Sequence, residues 1–311
     1  MKRFLCILML LCIVFGCAAD ALAREKPREI TPLTPEEIPD NYPGQIHYLL
    51  ACTDTWYGDT SNPGNTDGIL MLTLDTVKRR IMVCTFTREM LIKRPDGGIG
   101  RITYITKNYG PDALCNIVST HFGVHVDKYV IFNMDNVQSI IDAVGGVEIT
   151  VTDAEAAYLN RYRISRESTT PSMDKGGTYL FTGHAAVIYM RIRKVGGDGD
   201  SGRTRRIRTV LSTLAKKFEQ VTLEEAFNVL SSVQDNMITT NLGFSDMFDA
   251  VSYAVALRDC EVEGIQMPPQ DCLSDITYAG METRQVDFER SREVLWNFLK
   301  GEESYDVTDE E

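Results

Sequence analysis

Six arginines fall within the eighteen residues from Arg191 to Arg208, in a chain whose formal net charge is −12. The segment reads Arg191-Ile-Arg193-Lys-Val-Gly-Gly-Asp198-Gly-Asp200-Ser-Gly-Arg203-Thr-Arg205-Arg206-Ile-Arg208 and carries about +5 on its own. Crowded guanidinium groups repel one another unless an anion neutralises them, and their planar fork suits phosphate oxygens. The chemistry this spacing points to is phosphate or pyrophosphate binding, at a Gly/Asp loop that leads into a helix.

The helix must orient those arginines. Ile207, Val210, Leu211, Leu214 and Phe218 recur at helical spacing and define a buried face from Arg203 onward. At 100° per residue Arg203 shares that face, Arg206 and Arg208 flank it, and Arg205 lies opposite, in solvent. An inward arginine at a helix start suits an anion. The plainer reading, a solvated charge run, fits Arg205 and Arg208 best.

The rest of the chain sets bounds. Residues 1–23 have a basic start, an apolar run from Phe4 to Phe15 and a small-residue cleavage site at Ala21-Leu22-Ala23, so they read as an export signal. Val14-Phe15-Gly16-Cys17 offers a competing reading as a lipidation site at Cys17. Removal of Lys2, Arg3 and Asp20 leaves the mature chain near −13, which argues against nucleic-acid binding. Five cysteines remain, at uneven spacing: Cys52, Cys84 and Cys115 read as core residues, while Cys260 and Cys272 could pair. Residues 24–44 are proline-rich and read as an extended linker, with a single domain over 45–300 and an acidic, disordered tail over 301–311.

Within the domain, Ile46–Cys52, Ile69–Leu74, Ile81–Phe86, Lys128–Phe132 and Val147–Val151 read as strands, the second and third forming a hairpin. Helices are expected over 111–122, from an Asp135 cap to Gly145, from a Thr222/Glu225 capping box, and over 245–257 and 287–299. Gly183–Met190 is a short helix or strand. Residues 152–178 read as a long loop bordering a site. The alternation predicts a mixed α/β sandwich around one sheet. If the second strand is antiparallel to the first and third, Asp54, Asp67 and Arg88 share one sheet edge. Two carboxylates beside an arginine would suit Mg²⁺ next to an anionic ligand; equally, each aspartate could merely end a strand.

Several runs together resemble the LytR–CpsA–Psr family of bacterial cell-envelope proteins, from about Tyr48 to Leu299. They are Asp127-Lys-Tyr129-Val130 with Phe132-Asn133, and Ile141-Asp142-Ala143-Val144-Gly145-Gly146-Val147. Further on come Leu180-Phe-Thr-Gly183-His-Ala185 through Tyr189-Met-Arg191-Ile-Arg193, and Gly199-Asp200-Ser-Gly202-Arg203-Thr-Arg205-Arg206. The resemblance implies a central mixed sheet flanked by helices, with an apolar channel for a lipid. It implies an extracytoplasmic phosphotransferase, moving a teichoic-acid or capsule-type glycopolymer from a polyprenyl-pyrophosphate carrier to peptidoglycan through a phosphodiester. The membrane surface is then met through the lipid substrate, and Mg²⁺ assists. Carried over by position, Asp54 and Asp67 match metal-binding aspartates. Arg88, Arg101, Arg191, Arg193, Arg203 and Arg206 match pyrophosphate-contacting positions. Asp200 matches an acidic loop residue and, with Arg88, Arg191, Arg193 and Arg203, makes the expected catalytic set.

Three positions depart from the family pattern. Asn65 stands where an arginine is usual, Glu89 where an aspartate is usual, and Ile207 and Arg208 replace glutamines. These departures support an alternative class, a non-catalytic binder of polyprenyl-pyrophosphate lipids. A third class, a serine protease built on Gly199-Asp200-Ser201-Gly202, lacks a histidine in a suitable context. The channel is expected to open beside Arg191 and Arg193, with the helices at 111–122 and 204–218 as walls.

Overall fold

The computed structural model describes residues 26–54, 64–161, 173–196, 199–218, 239–260 and 262–301. The export-signal reading, the Thr222/Glu225 helix and the acidic tail after Gly301 lie outside these residues. Twelve strands are described: β1 (Gln45–Thr53), β2 (Thr66–Asp75), β3 (Arg80–Phe86), β4 (Leu91–Lys93), β5 (Ile99–Arg101), β6 (Lys128–Phe132), β7 (Val147–Val151), β8 (Gly177–Phe181), β9 (Thr239–Thr240), β10 (Val262–Met267), β11 (Leu273–Tyr278) and β12 (Met281–Val286). The helices are α1 (Ile105–Tyr109), α2 (Pro111–Phe122), α3 (Met134–Ala143), α4 (Asp153–Arg161), α5 (Gly183–Met190), α6 (Gly199–Phe218), α7 (Phe244–Ala256) and α8 (Phe288–Lys300).

Six strands form one mixed sheet in the order β10-β3-β2-β1-β6-β9. β2 is antiparallel to both β1 and β3, as the edge argument required. β6 runs parallel to β1, which the intervening helices permit. Period-two alternation splits the sheet into two apolar faces. Leu49, Ala51, Ile69, Met71, Met82 and Cys84 face α2 and α8, with Leu114, Val118, Phe122, Leu295 and Phe298 closing that core. Tyr48 and Leu74 face the other way, toward Leu257 and the α7 residues Ala250 and Tyr253. The β7–β8 hairpin, α3, α4, α5 and α6 build a second apolar cluster around Ile141, Ile149, Phe181, Ala185 and Val210.

The glycine motif has a packing explanation. Gly146 has φ +83°, and an added Cβ would lie 2.6 Å from the Phe181 carbonyl oxygen. A Cβ on Gly183 would lie 2.1 Å from the Gln138 carbonyl oxygen. The Gly183 amide also donates to Asp142 Oδ1 at 2.7 Å. Close backbone approach at both places locks α5 onto α3 and the hairpin.

Several elements differ from the sequence reading. Asn133, not Asp135, caps α3, its side chain accepting from the Asn136 amide. α6 starts at Gly199, so Asp200 lies in a helical first turn and Arg203 sits one turn inside. The span read as a loop contains α4 and the start of β8. Cys260 and Cys272 are both free thiols. The proline-rich segment from Lys26 does not hang free: Ile30 and Ile38 are buried, Leu33 donates its amide to the Thr120 carbonyl, and Tyr42 meets Trp296 edge-on with ring centroids 4.8 Å apart. Its few apolar residues recover enough buried area to hold it against α2 and α8.

Two buried histidines give the fold a pH dependence. Burial lowers the pKa of His47 and of His121 to about 4. His121 also uses Nε2 to accept the Lys93 amide, while Nδ1 faces the Ile117 carbonyl at 2.9 Å. Protonation would destroy that acceptor. Unfolded imidazoles take up protons as pH falls through 6.5, whereas the buried ones resist until about 4. Stability is therefore expected to be whole above 6.5 and to decline progressively between those values. Urea midpoints across this range should fall less steeply in a His47→Gln, His121→Gln variant.

Candidate functional site

The second face of the sheet does not close completely. Between it and helices α3 and α6 runs a cavity of about 720 Å³. Asp54, Asp67 and Arg88 all line it, although they come from the end of β1, the start of β2 and the turn after β3. The position of Asp67 is set by its neighbour: Thr66 is fully buried, its hydroxyl donates to Thr106 Oγ1, and its carbonyl accepts from Thr103, at 2.8 Å each. Asp54 is held by Asn65, whose backbone and side-chain nitrogens donate to Oδ1 at 2.9 Å and Oδ2 at 3.2 Å.

Asp67 is the hub of the charged end. Its Oδ1 accepts from Arg88 Nη1, and its Oδ2 lies 3.5 Å from both Arg193 Nη2 and Arg203 Nη1. Arg88 Nε donates in turn to Glu89 Oε1 at 2.6 Å. Arg203 is 6% exposed, in keeping with its place on the buried stripe of α6, while Arg205 on the opposite side is exposed. Arg191 and Arg193 are exposed at the mouth, just after α5, with Lys194 beside them. Arg101 also reaches the cavity, from the end of β5. Among the described residues, six cations thus converge on three carboxylates, Asp54, Asp67 and Glu89. The Cys52 thiol in the same wall is pushed up to about 12 by burial and then by Asp67, so it is inert.

Arg206 is placed elsewhere and does not line the cavity. It is 1% exposed, its Nε donates to Glu155 Oε1 at 2.7 Å, and Nη1 and Nη2 donate to the carbonyls of Ile192 and Val195. Buried on the flank of α6, its charge is spent on α4 and on the strand of chain that carries Arg191 and Arg193. Arg208 is half-buried, and burial lowers its pKa. The side chain of Asp200 lies outside the described residues.

The cavity continues from this charged end into an apolar one. Leu50, Leu70 and Phe132 of the sheet face Val137, Ile140 and Ile141 of α3 and Ile207, Val210, Leu211 and Leu214 of α6. The expected wall at 204–218 is present. The other, at 111–122, is not, because α2 packs on the opposite face of the sheet; α3 takes its place. Ile207, a departure from the family pattern, is part of this apolar lining. The sequence reading also missed Lys194 and Glu155. Thr152-x-x-Glu155 is a capping box, with Glu155 Oε2 accepting the Thr152 amide at 3.0 Å and Thr152 Oγ1 accepting the Glu155 amide at 3.2 Å. That signal would have marked α4, but nothing local marks its partner Arg206.

The same arrangement of elements occurs in known proteins. A crystal structure of protein gbs0355 from Streptococcus agalactiae superposes with a TM-score of 0.68 at 22% identity, covering 83% of this chain and 87% of that one. The LytR-CPS2A-psr family protein YwtF (TagT) with bound octaprenyl pyrophosphate lipid gives 0.61 at 18% identity, covering 87% and 97%. Among curated proteins, biofilm regulatory protein A of Streptococcus mutans is 26% identical over 259 residues, 78% of this chain and 57% of that protein. The polyisoprenyl-teichoic acid–peptidoglycan teichoic acid transferase TagU of Bacillus licheniformis is 26% identical over 207 residues, 66% and 62% respectively. The matched region thus spans about three-fifths of these curated relatives. The family model described as LytR_cpsA_psr matches residues 18–293, nearly the whole of the fold built around the cavity, and the chain belongs to the LytR–CpsA–Psr family.

Proposed function

We propose that the protein is an extracytoplasmic transferase that takes a glycopolymer from a polyprenyl-pyrophosphate carrier and joins it to peptidoglycan by a phosphodiester. The observation that carries this reading is a single cavity with an arginine-rich mouth and an apolar tail, which matches the two halves of such a carrier. The tail residues of α3 and α6 exclude water from the prenyl chain. Arg88, Arg191, Arg193 and Arg203 surround the position for the pyrophosphate and hold charge as it shifts during transfer. The acceptor hydroxyl oxygen forms the new bond to the phosphorus that carries the glycan. The bond from that phosphorus to the bridging oxygen breaks, polyprenyl phosphate leaves with the electron pair, and Glu89 takes the hydroxyl proton. A relative named as a teichoic acid transferase supports the reaction class. None of the described helices is long and apolar enough to cross a membrane, and the reading places membrane contact in the lipid substrate.

Asp54 and Asp67 fit a magnesium site in their chemistry: hard oxygen donors lining one cavity. Among the described residues no cluster of three or more histidine, cysteine or acidic side chains is arranged for a metal. That suits an ion held by one or two carboxylates together with substrate phosphates. Bound there, Mg²⁺ would neutralise phosphate charge. Asp67 would then exchange some of its arginine contacts for the cation, which frees guanidinium groups for the phosphates.

Asn65 favours the second reading, a binder without turnover, because it occupies both oxygens of Asp54. Purified protein incubated with lipid-linked glycan and peptidoglycan fragments separates the two. A phosphodiester product with release of polyprenyl phosphate is expected, whereas tight lipid binding without product supports the binder. Asp54→Ala and Asp67→Ala are each expected to abolish the response of turnover to Mg²⁺ while leaving the thermal transition in place. An undiminished response in Asp67→Ala would overturn the metal assignment.

A further inference from the structure

A second, polar pocket of about 470 Å³ adjoins the mouth of the cavity. The two share Glu89 and Arg101. Its remaining wall comes from Thr87 after β3, Gln266 of β10, Gln270, and the β11–β12 hairpin, which supplies the polar Asp275, Glu282, Thr283 and Arg284 and the apolar Leu273 and Met281. The hairpin is fastened directly to the shared residue: the Glu89 carbonyl accepts the Arg284 amide at 3.1 Å and the Thr283 hydroxyl. Gln266 Nε2 donates to Thr87 Oγ1 at 3.3 Å, and among the described residues its amide oxygen accepts no hydrogen bond. Arg284 is paired with Asp275 at 2.7 Å across the hairpin. Arg101 Nη2 donates to the Glu282 carbonyl, yet its buried Nε has no hydrogen-bond partner among the described residues.

The charge balance of the two pockets differs. Among the described residues, the cavity mouth sets six cations against three carboxylates, whereas this pocket sets two arginines against three, Glu89, Asp275 and Glu282. It is therefore not a second anion site. Side-chain amides, hydroxyls and carboxylates fixed on strands are the groups that recognise polyhydroxylated, near-neutral ligands. In-line phosphoryl transfer also needs the attacking and leaving oxygens on opposite sides of the phosphorus. An acceptor must then enter from outside the lipid cavity and reach the arginines along a shared wall.

We propose that this pocket is the acceptor subsite, taking a hydroxyl-bearing saccharide and presenting it across Glu89 and Arg101 to the phosphorus held at the arginine mouth. The proposal rests on the transferase reading for the purpose of the site, but the pocket's affinity for saccharide can be measured without turnover. The test uses the full chain with a soluble N-acetylglucosamine–N-acetylmuramic acid fragment and, separately, octaprenyl pyrophosphate. A Gln266→Ala, Gln270→Ala variant changes residues that do not line the lipid cavity. It is expected to weaken saccharide binding about tenfold, the loss of one or two neutral hydrogen bonds, and to raise the acceptor KM without changing lipid affinity. Gln270→Glu, which alters an exposed side chain, provides a second variant in case the first misfolds, and should also weaken the saccharide alone. Saccharide binding lost in the variants while the wild type performs no transfer would leave the pocket standing and remove the transferase reading. Saccharide binding unchanged in both folded variants would overturn the subsite.

Discussion

Arg206→Ala is expected to destabilise the protein by about 3–5 kcal/mol, the cost of stranding one partner of a buried ion pair. Arg206 and Glu155 are 1% and 6% exposed, and the guanidinium is bonded to Glu155 and to the carbonyls of Ile192 and Val195. Such a loss is a large part of the stability of an ordinary domain, and urea unfolding would register it. Removing both charges should behave differently. Arg206→Met with Glu155→Gln keeps the volume and leaves an acceptor for the Thr152 amide, so most of the stability should return. Lipid binding should not return with it, because Arg206 Nη1 and Nη2 also hold the carbonyls of Ile192 and Val195, and that segment carries Arg193. A double variant that regained both would mean that Arg206 has no part in placing the mouth arginines.

Arg203→Ala is expected to weaken polyprenyl-pyrophosphate binding by about 1.5–3 kcal/mol, as for a charge-assisted hydrogen bond, or roughly tenfold to 150-fold. Arg205→Ala should change it by less than about 0.5 kcal/mol. The two side chains carry the same charge and are separated by one residue. Arg203 is buried within 3.5 Å of Asp67, whereas Arg205 is exposed on the far side of α6. A diffuse basic patch would treat them alike, since its field falls slowly with distance at low salt. Titration of both variants with octaprenyl pyrophosphate distinguishes the models, and equal losses would refute a defined pocket.

Helical periodicity from Arg203 to Phe218 was enough to place Arg203 inward and Arg205 outward, because angle around a helix depends only on position along it. Alternation also marked β1, β2 and β3, while the meeting of Asp54, Asp67 and Arg88 at one sheet edge needed β2 to be antiparallel to both neighbours. The proline and glycine signals at Pro111 and Gly145 marked real helix boundaries. These are local properties, written in spacing. The resemblance placed Arg206 among the pyrophosphate contacts, whereas the structure pairs it with Glu155. Its position flanking the buried stripe was compatible with either a ligand or a partner on another helix, and Glu155 lies 51 residues away.

Which face of the sheet each helix covers was not a local property either. The apolar stripe of α2 looks as suitable for a lipid wall as that of α3, yet α2 fills the closed core with α8, and α3 borders the cavity. Periodicity tells a helix which side to bury but not against what. That choice depends on chain connections and on how the β7–β8 hairpin, clamped by Gly146 and Gly183, holds α3, α5 and α6 together. The residue types and their order along the chain pointed to an anion-binding chemistry and marked the family. The pairing of that chemistry with an apolar tail, and the diversion of one arginine to structure, arose from long-range packing, because contacts between distant segments follow from the total fit of the fold and leave no periodic trace in any one segment.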